Sequence, residues 1–184
     1  MTTLAPEYPL LGLLLAGPSH GYALQAKLQA DLGELWTISL SQTYNILKRL
    51  EESSLIQGTP QQQRTKPDRY ELRLTPAGQE HFMRWLLEPS IPSSQLLRVE
   101  FLTRLYFARR HRPSLLETLV TQQVHQIEVA INNLEKRLHE MDGSSRANRW
   151  ALQIRIVQTQ SFLDWLRQNE ANLTLPINSQ EDNV

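Results

Sequence analysis

The chain has 184 residues, enough for one or two small domains, and its 19 Lys and Arg balance its 19 Asp and Glu, so it carries no net charge. It contains no cysteine, which excludes disulfides, thiolate catalysis and cysteine-ligated zinc. No apolar run approaches the roughly 20 residues of a membrane helix, and no secretory signal pattern opens the chain, so we expect a cytoplasmic protein without membrane contact.

Two helices are predicted before residue 34. Residues 8–16 are apolar on nearly all sides, which is typical of a short buried helix, and Gly17-Pro18 ends it. Residues 19–31 restart as a helix, with Ser19 or His20 as the cap and Gly33 as the stop. Together with the next helix they predict a helix-turn-helix.

The stretch from residue 39 to 56 is the most informative. Ser39 and Gln42 form a capping-box pattern at its start. Beyond the cap, apolar groups recur at spacings of three and four, while the other face is amide-rich and basic. Amides and cations are the groups that read base edges and hold phosphates, so this pattern indicates a helix that enters the major groove of DNA. An ordinary solvated helix face would look the same in isolation.

A wing is predicted after this helix. Residues 69–74 alternate strictly, which predicts a half-buried strand with Tyr70, Leu72 and Leu74 facing the core. Residues 55–58 are its expected partner, and Arg64 and Lys66 would lie at the wing tip. Thr75-Pro76 then begins a helix that extends to residue 87.

The second half reads as helical after a hinge at residues 89–94. Residues 95–110 are dense in apolar groups. Apolar side chains from 120 to 141 repeat as heptads, which is typical of a coiled coil. A last helix, 146–169, would pack antiparallel to it through a turn at Gly143. Packing within one subunit would explain these stripes, but their apolar surface favours a dimer. The expected dimerisation residues are Phe101, Leu105, Val124, Ile127, Ile131, Leu134, Leu138, Trp150, Ile154 and Trp165.

These elements give four segments: a winged helix-turn-helix at 1–88, the hinge at 89–94, a helical dimerisation domain at 95–170 and a disordered tail at 171–184. The expected fold class is therefore mainly α, with three helices and a two-stranded wing in the first domain. The motifs L-L-G-L-L-L-A-G-P-S-H-G-Y-A-L at 10–24, S-x-x-Y-x-x-L-x-R-L-E-x-x-x-L-I at 41–56 and R-Y-x-L-x-L-T-P-x-G at 69–78 resemble the PadR family of bacterial transcriptional regulators. Ser54 stands where the family usually has glycine. Gln42 and Asn45 also depart from the family pattern, which leaves the operator sequence open.

The resemblance implies a DNA-binding regulator with a dimerising C-terminal half, and an effector that shifts the separation of the recognition helices. Gln42, Thr43 and Asn45 are the candidates for base edges. Tyr44 matches the family's tyrosine, and Tyr22 is expected to pack with its hydroxyl available to a phosphate. The full set of expected DNA contacts is Tyr22, Ser41, Gln42, Thr43, Tyr44, Asn45, Lys48, Arg49, Arg64, Lys66 and Arg69.

Three functions remain to be weighed. A homodimeric repressor on a two-fold symmetric operator is the first, and a winged helix that binds protein instead of DNA is the alternative, which the zero net charge supports. An enzyme is the weakest reading, because the five histidines show no metal spacing and no nucleophile or phosphate-loop motif appears. No catalytic residue, metal or cofactor is expected.

Overall fold

A computed structural model describes residues 4–61, 69–90, 97–141 and 146–175. The chain divides into two units, residues 1–88 and 89–184. In the first unit, the elements in chain order are α1 (Glu7–Leu15), β1 (Ser19–His20), α2 (Gly21–Leu32), α3 (Leu40–Glu52), β2 (Ile56–Gln61), β3 (Arg69–Leu74) and α4 (Pro76–Leu87).

The core of the first unit is built around α1. Its leucines at 10, 11, 13 and 14 are all buried, because α2, α3 and α4 each pack against this short helix. From α3, the apolar stripe of Ile46, Leu47 and Leu50 faces the same core. The helix-turn-helix and mainly α class expected from the sequence are confirmed.

The sheet has three strands, one more than expected. β3 lies in the middle of the order β1-β3-β2 and pairs antiparallel with both neighbours. The two residues of β1 pair Ser19 with Leu72 and His20 with Glu71. This short strand joins the wing to the start of α2.

The wing differs from expectation in one side chain. Leu72 is buried as the alternation predicted, but Tyr70 is 51% exposed. Tyr70 pairs with Pro60, next to the last described pair of the ladder. Alternation shows which face a side chain occupies, but not how far the body of the domain extends beneath it.

The Thr75 side chain fixes where α4 begins. The Thr75 hydroxyl accepts from Gly78 N at 3.0 Å, and its single proton lies between the carbonyl oxygens of Ser54 at 2.8 Å and Leu55 at 3.0 Å, which follow the end of α3. Gly78 is required here, because a Cβ at this position would lie 1.9 Å from the Leu55 carbonyl oxygen. The turn itself is unusual, since Ser54 has a φ of 57°.

The described elements of the second unit are all helical. It contains a π-helical turn (Leu97–Phe101), α5 (Leu102–His111), a 3-10 turn (Pro113–Leu115), α6 (Leu116–Glu140) and α7 (Arg146–Thr174). The two long helices, α6 and α7, pack against each other. The single helix expected over 95–110 is thus a π-helical turn followed by an α-helix, and residues 95 and 96 lie outside the described part.

Three expectations concern connecting segments. Ser90, inside the expected hinge, is buried in the second unit, where its backbone exchanges hydrogen bonds with the Gln123 side chain at 2.9 and 3.1 Å. Residues 91–94 and the Gly143 turn lie outside the described residues. The last helix continues to Thr174, four residues into the tail expected to be disordered, and residues 176–184 are not described. Within the described ranges, no helix combines the length and apolarity needed to cross a membrane.

Candidate nucleic-acid interface

The start of α3 is held by the capping box that the sequence predicted. The Ser39 hydroxyl accepts from Gln42 N at 3.2 Å, and the side-chain Oε1 of Gln42 accepts from Ser39 N at 2.8 Å. These bonds satisfy backbone donors that the first turn leaves without helical partners. The oxygen of the Gln42 amide is therefore engaged in the cap, although the side chain remains exposed.

A second device, which sequence reasoning missed, joins α2 to α3. The Gln25 side-chain amide donates to the Ile38 carbonyl at 2.6 Å, and its oxygen lies within hydrogen-bond distance of the Thr43 hydroxyl. We name these three residues the Gln25 clamp. It fixes the connector before α3 and the first turn of α3 to the same point on α2.

Thr43 is consequently not a base-reading residue. Its side chain is fully buried, and its hydroxyl lies close to the Gln25 side-chain oxygen and 3.1 Å from the Ser39 carbonyl oxygen. Thr43 lies on the buried stripe of α3 with Ile46, Leu47 and Leu50, a position that is incompatible with contact in a DNA groove.

The face of α3 opposite the buried stripe is polar and exposed. Its side chains from residue 41 to 49 that face solvent are Ser41, Gln42, Tyr44, Asn45, Lys48 and Arg49. Lys48 forms an ion pair with Glu52 at 3.9 Å, but both side chains are largely exposed. Such a pair contributes little, so the Lys48 ammonium can exchange Glu52 for another anion.

Arg49 lies on a different flank from Tyr44 and Lys48. It lines a pocket of about 240 Å³ beside Glu7 of α1 and His81 of α4. Arg49 and Lys48 were both expected to contact DNA, but they lie on different flanks of α3.

The other flank borders an open groove of about 560 Å³, which we name the tyrosine groove. It is bounded by the start of α2, by α3 and by β3. Tyr22, Tyr44 and Tyr70 all line it, together with Lys48 and Glu51. Tyr22 and Tyr44 were expected at a DNA surface, and Tyr70 was expected in the core.

The wing cations expected at the interface are only partly described. Arg64 and Lys66 lie outside the described residues, and only the backbone of Arg69, in β3, is described. Their contact with DNA stays a prediction.

The residues expected to dimerise fall into three groups. Five are buried inside the second unit of their own chain: Phe101, Leu105, Ile127, Ile131 and Leu134. For these five, packing within one subunit accounts for the apolar pattern and replaces the expected role as contacts to a second copy. Val124 and Leu138 are half-buried, whereas Trp150, Ile154 and Trp165 are exposed.

The family model described as "Transcriptional regulator PadR-like family" matches residues 10–84, which include the capped α3, the Gln25 clamp and the described part of the wing. This segment is similar to the PadR-like family of transcriptional regulators. Among the described residues, no group of three or more His, Asp or Glu side chains is arranged to hold a metal ion.

Individual relatives match about half of the chain. The negative transcriptional regulator PadR of Bacillus subtilis is 31% identical over 101 residues, which cover 55% of each chain. A probable transcriptional regulator of Mycobacterium tuberculosis is 27% identical over 90 residues, covering 49% of this chain and 48% of the relative. The chain thus spans about half the length of the curated relatives it matches.

Solved structures resemble the chain over more of its length, at lower sequence identity. The crystal structure of Bacillus subtilis PadR with operator DNA has a TM-score of 0.48 at 23% identity, covering 94% of this chain and 99% of that one. The PadR-like regulator BC1756 of Bacillus cereus has a TM-score of 0.44 at 20% identity, with coverage of 94% and 97%.

Proposed function

We propose that this chain is a DNA-binding transcriptional regulator whose α3 lies in the major groove. The observation that carries the proposal is the exposed polar face of α3, from Ser41 to Lys48, on a helix whose first turn is fixed by a capping box and by the Gln25 clamp. A helix that reads base edges must be held rigidly at its N-terminal end, because its first residues make the contacts. The match of residues 10–84 to a family model of transcriptional regulators supports the same assignment.

Asn45 is the strongest candidate for base readout, because its amide is exposed and enters none of the hydrogen bonds described for the cap or the clamp. An amide that contacts adenine through two hydrogen bonds discriminates by about 1–3 kcal/mol. We expect Asn45→Ala to weaken binding to a preferred duplex by this amount per half-site, and to leave binding to random DNA unchanged. Asn132→Ala, the same change on the exposed side of α6, is the matched control. Equal losses on both duplexes would remove base readout from Asn45.

Repression is the regulatory sign we propose. The Bacillus subtilis relative is a negative regulator, and it is 31% identical over the matched stretch. The test is a reporter gene placed behind the DNA that the chain selects. We expect expression of the reporter to fall when the chain is supplied and to recover with Asn45→Ala. A rise in expression would show activation instead.

We further propose that the chain acts as a homodimer through α7. Trp150, Ile154 and Val157 are each more than half exposed and share the side of α7 opposite its buried residues Leu152, Thr159 and Leu163. Aromatic and aliphatic groups that share an exposed face mark an interaction surface. A second copy would cover them and would place two α3 helices on half-sites about one turn of DNA apart.

The dimer is tested by light scattering on the full chain. The double substitution Trp150→Glu with Ile154→Glu should give a monomer that binds DNA more weakly. Asn132→Glu adds a carboxylate to an exposed position of α6 and should leave the dimer intact. A wild-type monomer, or a double variant that still dimerises, would refute this surface.

The alternative is a winged helix that binds protein, which the zero net charge favours. Binding to DNA must weaken as salt rises, because Lys and Arg side chains that contact phosphates release the salt cations bound there. A high salt concentration opposes that release. A chain that binds no duplex at low salt would favour the alternative. A response to a small-molecule effector stays a prediction of the family resemblance.

A further inference from the structure

Ser90 follows the end of α4 by three residues and is almost completely buried in the second unit, with 2% of its surface exposed. Two side chains of that unit hold its polar groups. The Ser90 N–H donates to Oε1 of Gln123 at 2.9 Å, and the Ser90 carbonyl oxygen accepts from Nε2 of the same amide at 3.1 Å. The Ser90 hydroxyl oxygen accepts from Nη1 of Arg104 at 2.7 Å. We name these three residues the Ser90 anchor.

The anchor is polar where its surroundings are apolar. The buried side chains of α6 are apolar except for Gln123, which is 1% exposed. Arg104 is buried as well, and its guanidinium lies 3.8 Å from the buried carboxylate of Glu100. Buried ion pairs add little net stability, since apolar side chains of similar volume often serve as well. Hydrogen bonds are directional, however, so the anchor fixes both the position and the direction of the Ser90 backbone.

The connector between α4 and the anchor consists of Glu88 and Pro89. The Glu88 N–H donates to the Trp85 carbonyl at 3.2 Å, so the first of these residues is still bonded to α4. Pro89 fixes its own φ and disfavours the helical region for Glu88, whose φ of −75° and ψ of 136° are extended. The segment expected to be a hinge therefore begins with a short connector of few free torsions that ends at a fixed point.

We propose that the Ser90 anchor determines which spacing between half-sites the dimer accepts on DNA. This rests on the proposed function, in which two copies of α3 bind half-sites about one turn of DNA apart. Because the connector is short and stiff, the end of each α4 stays close to a fixed point on α5 and α6. Arg104 and Gln123 are then positioning residues for DNA binding: they act through Ser90 on the distance that separates the two α3 helices.

Releasing Ser90 would lengthen the connector. The next buried residue that the structure describes is Leu97, so the connector would grow from two residues to as many as nine. A flexible chain of nine residues spans about 16 Å, whereas one base pair advances about 3.4 Å along DNA. A released connector can therefore follow half-sites displaced by several base pairs. The effective concentration of the second α3 at its half-site falls roughly as the −3/2 power of connector length, which is about ten-fold here.

The experiment measures fluorescence anisotropy on duplexes that carry two half-sites from DNA selected by the wild-type chain. Their spacing is the selected one or differs by one or two base pairs, and a further duplex carries a single half-site. For the wild type, a change of two base pairs should remove most of the about 10²- to 10⁴-fold gain from binding both half-sites. Gln123→Leu should lose about ten-fold at the selected spacing but bind the altered spacings at least as well as the wild type. Its affinity for the single half-site should stay unchanged, because α3 and the wing are unaltered.

Two further variants control for folding. Gln122→Leu makes the same change on the exposed side of α6 and should reproduce the wild-type profile. Gln123→Leu removes both partners of the buried Ser90 backbone and lowers stability, so light scattering and circular dichroism melts check that its dimer is folded. Inserting two glycines between Glu88 and Pro89 keeps the anchor and doubles the connector length. This insertion should flatten the dependence on spacing, with about a three-fold loss at the selected spacing.

The outcomes separate this inference from the proposed function. If the wild-type chain binds no duplex, or binds two half-sites no better than one, the proposed function fails. If a folded Gln123→Leu dimer keeps the wild-type preference, or loses affinity equally at every spacing, the anchor serves stability alone and this inference is overturned. If Gln123→Leu does not fold, an unchanged spacing profile in the glycine insertion overturns it instead. A wild type that binds every spacing equally well would also overturn it.

Discussion

Replacing Gln25 with leucine tests whether the Gln25 clamp determines the position of α3. Leucine is similar in size but makes no hydrogen bond, so the Ile38 carbonyl loses its donor at 2.6 Å and the Thr43 hydroxyl loses its contact with Gln25. Each hydrogen bond contributes about 0.5–1.5 kcal/mol net. The Thr43 hydroxyl keeps the Ser39 carbonyl at 3.1 Å, so we expect a total loss of about 1–2 kcal/mol, in the lower part of the range for two bonds.

Urea unfolding of the full chain measures this loss. Trp36 and Trp85 are buried in the first unit, whereas Trp150 and Trp165 are exposed in the second, so a change in tryptophan emission mainly follows the first unit. Thr43→Val removes the hydroxyl with little change in shape. The double variant should show a coupling energy of about 0.5–1.5 kcal/mol between the two positions.

Binding should respond as well. A helix whose first turn has shifted loses base contacts before it loses phosphate contacts, so Gln25→Leu should weaken the preferred duplex more than random DNA. Single losses below about 0.5 kcal/mol, with strictly additive effects in the double variant, would show that the clamp does not hold α3.

Three further predictions concern other parts of the chain. Ser54→Gly should stabilise the first unit by about 0.5–1 kcal/mol in thermal unfolding, because a φ of 57° strains serine but not glycine; an unchanged or lower midpoint would contradict this. Gly58→Ala should destabilise the first unit by about 1–3 kcal/mol in thermal unfolding, since its Cβ would displace the Tyr70 ring; an unchanged midpoint would refute the close packing. Arg104→Met should cost about 3–5 kcal/mol in chemical denaturation because it leaves Glu100 buried without the guanidinium 3.8 Å away, and adding Glu100→Gln should recover part of the loss; a double variant as unstable as the sum of both single variants would contradict this.

Local signals in the sequence predicted local structure well. The capping box at Ser39 and Gln42, and Thr75 with Pro76 at the start of α4, are written in adjacent residues and appear as expected. Such signals depend only on the backbone groups next to them. The two residues of β1, by contrast, form a strand because β3 lies beside them, and two residues carry no period that could be detected.

Periodicity was less informative about the partner of each apolar side chain. Heptad spacing identified the buried residues of α6, such as Ile127 and Ile131, but it could not tell their own subunit from a second copy. The Gln25 clamp could not be predicted from the sequence either. Gln25 and Thr43 are 18 residues apart, and their contact depends on how α2 and α3 cross.

The central claim is that two copies of α3 read neighbouring major grooves, and a nuclease footprint of the full chain on DNA selected from a random library tests it most directly. We predict protection of two inverted half-sites whose centres are about 10–10.5 base pairs, or a multiple of that spacing, apart. We also predict that Asn45→Ala removes this protection at concentrations where Asn132→Ala retains it. Protection of a single unpaired half-site, or none at any concentration, would contradict the account.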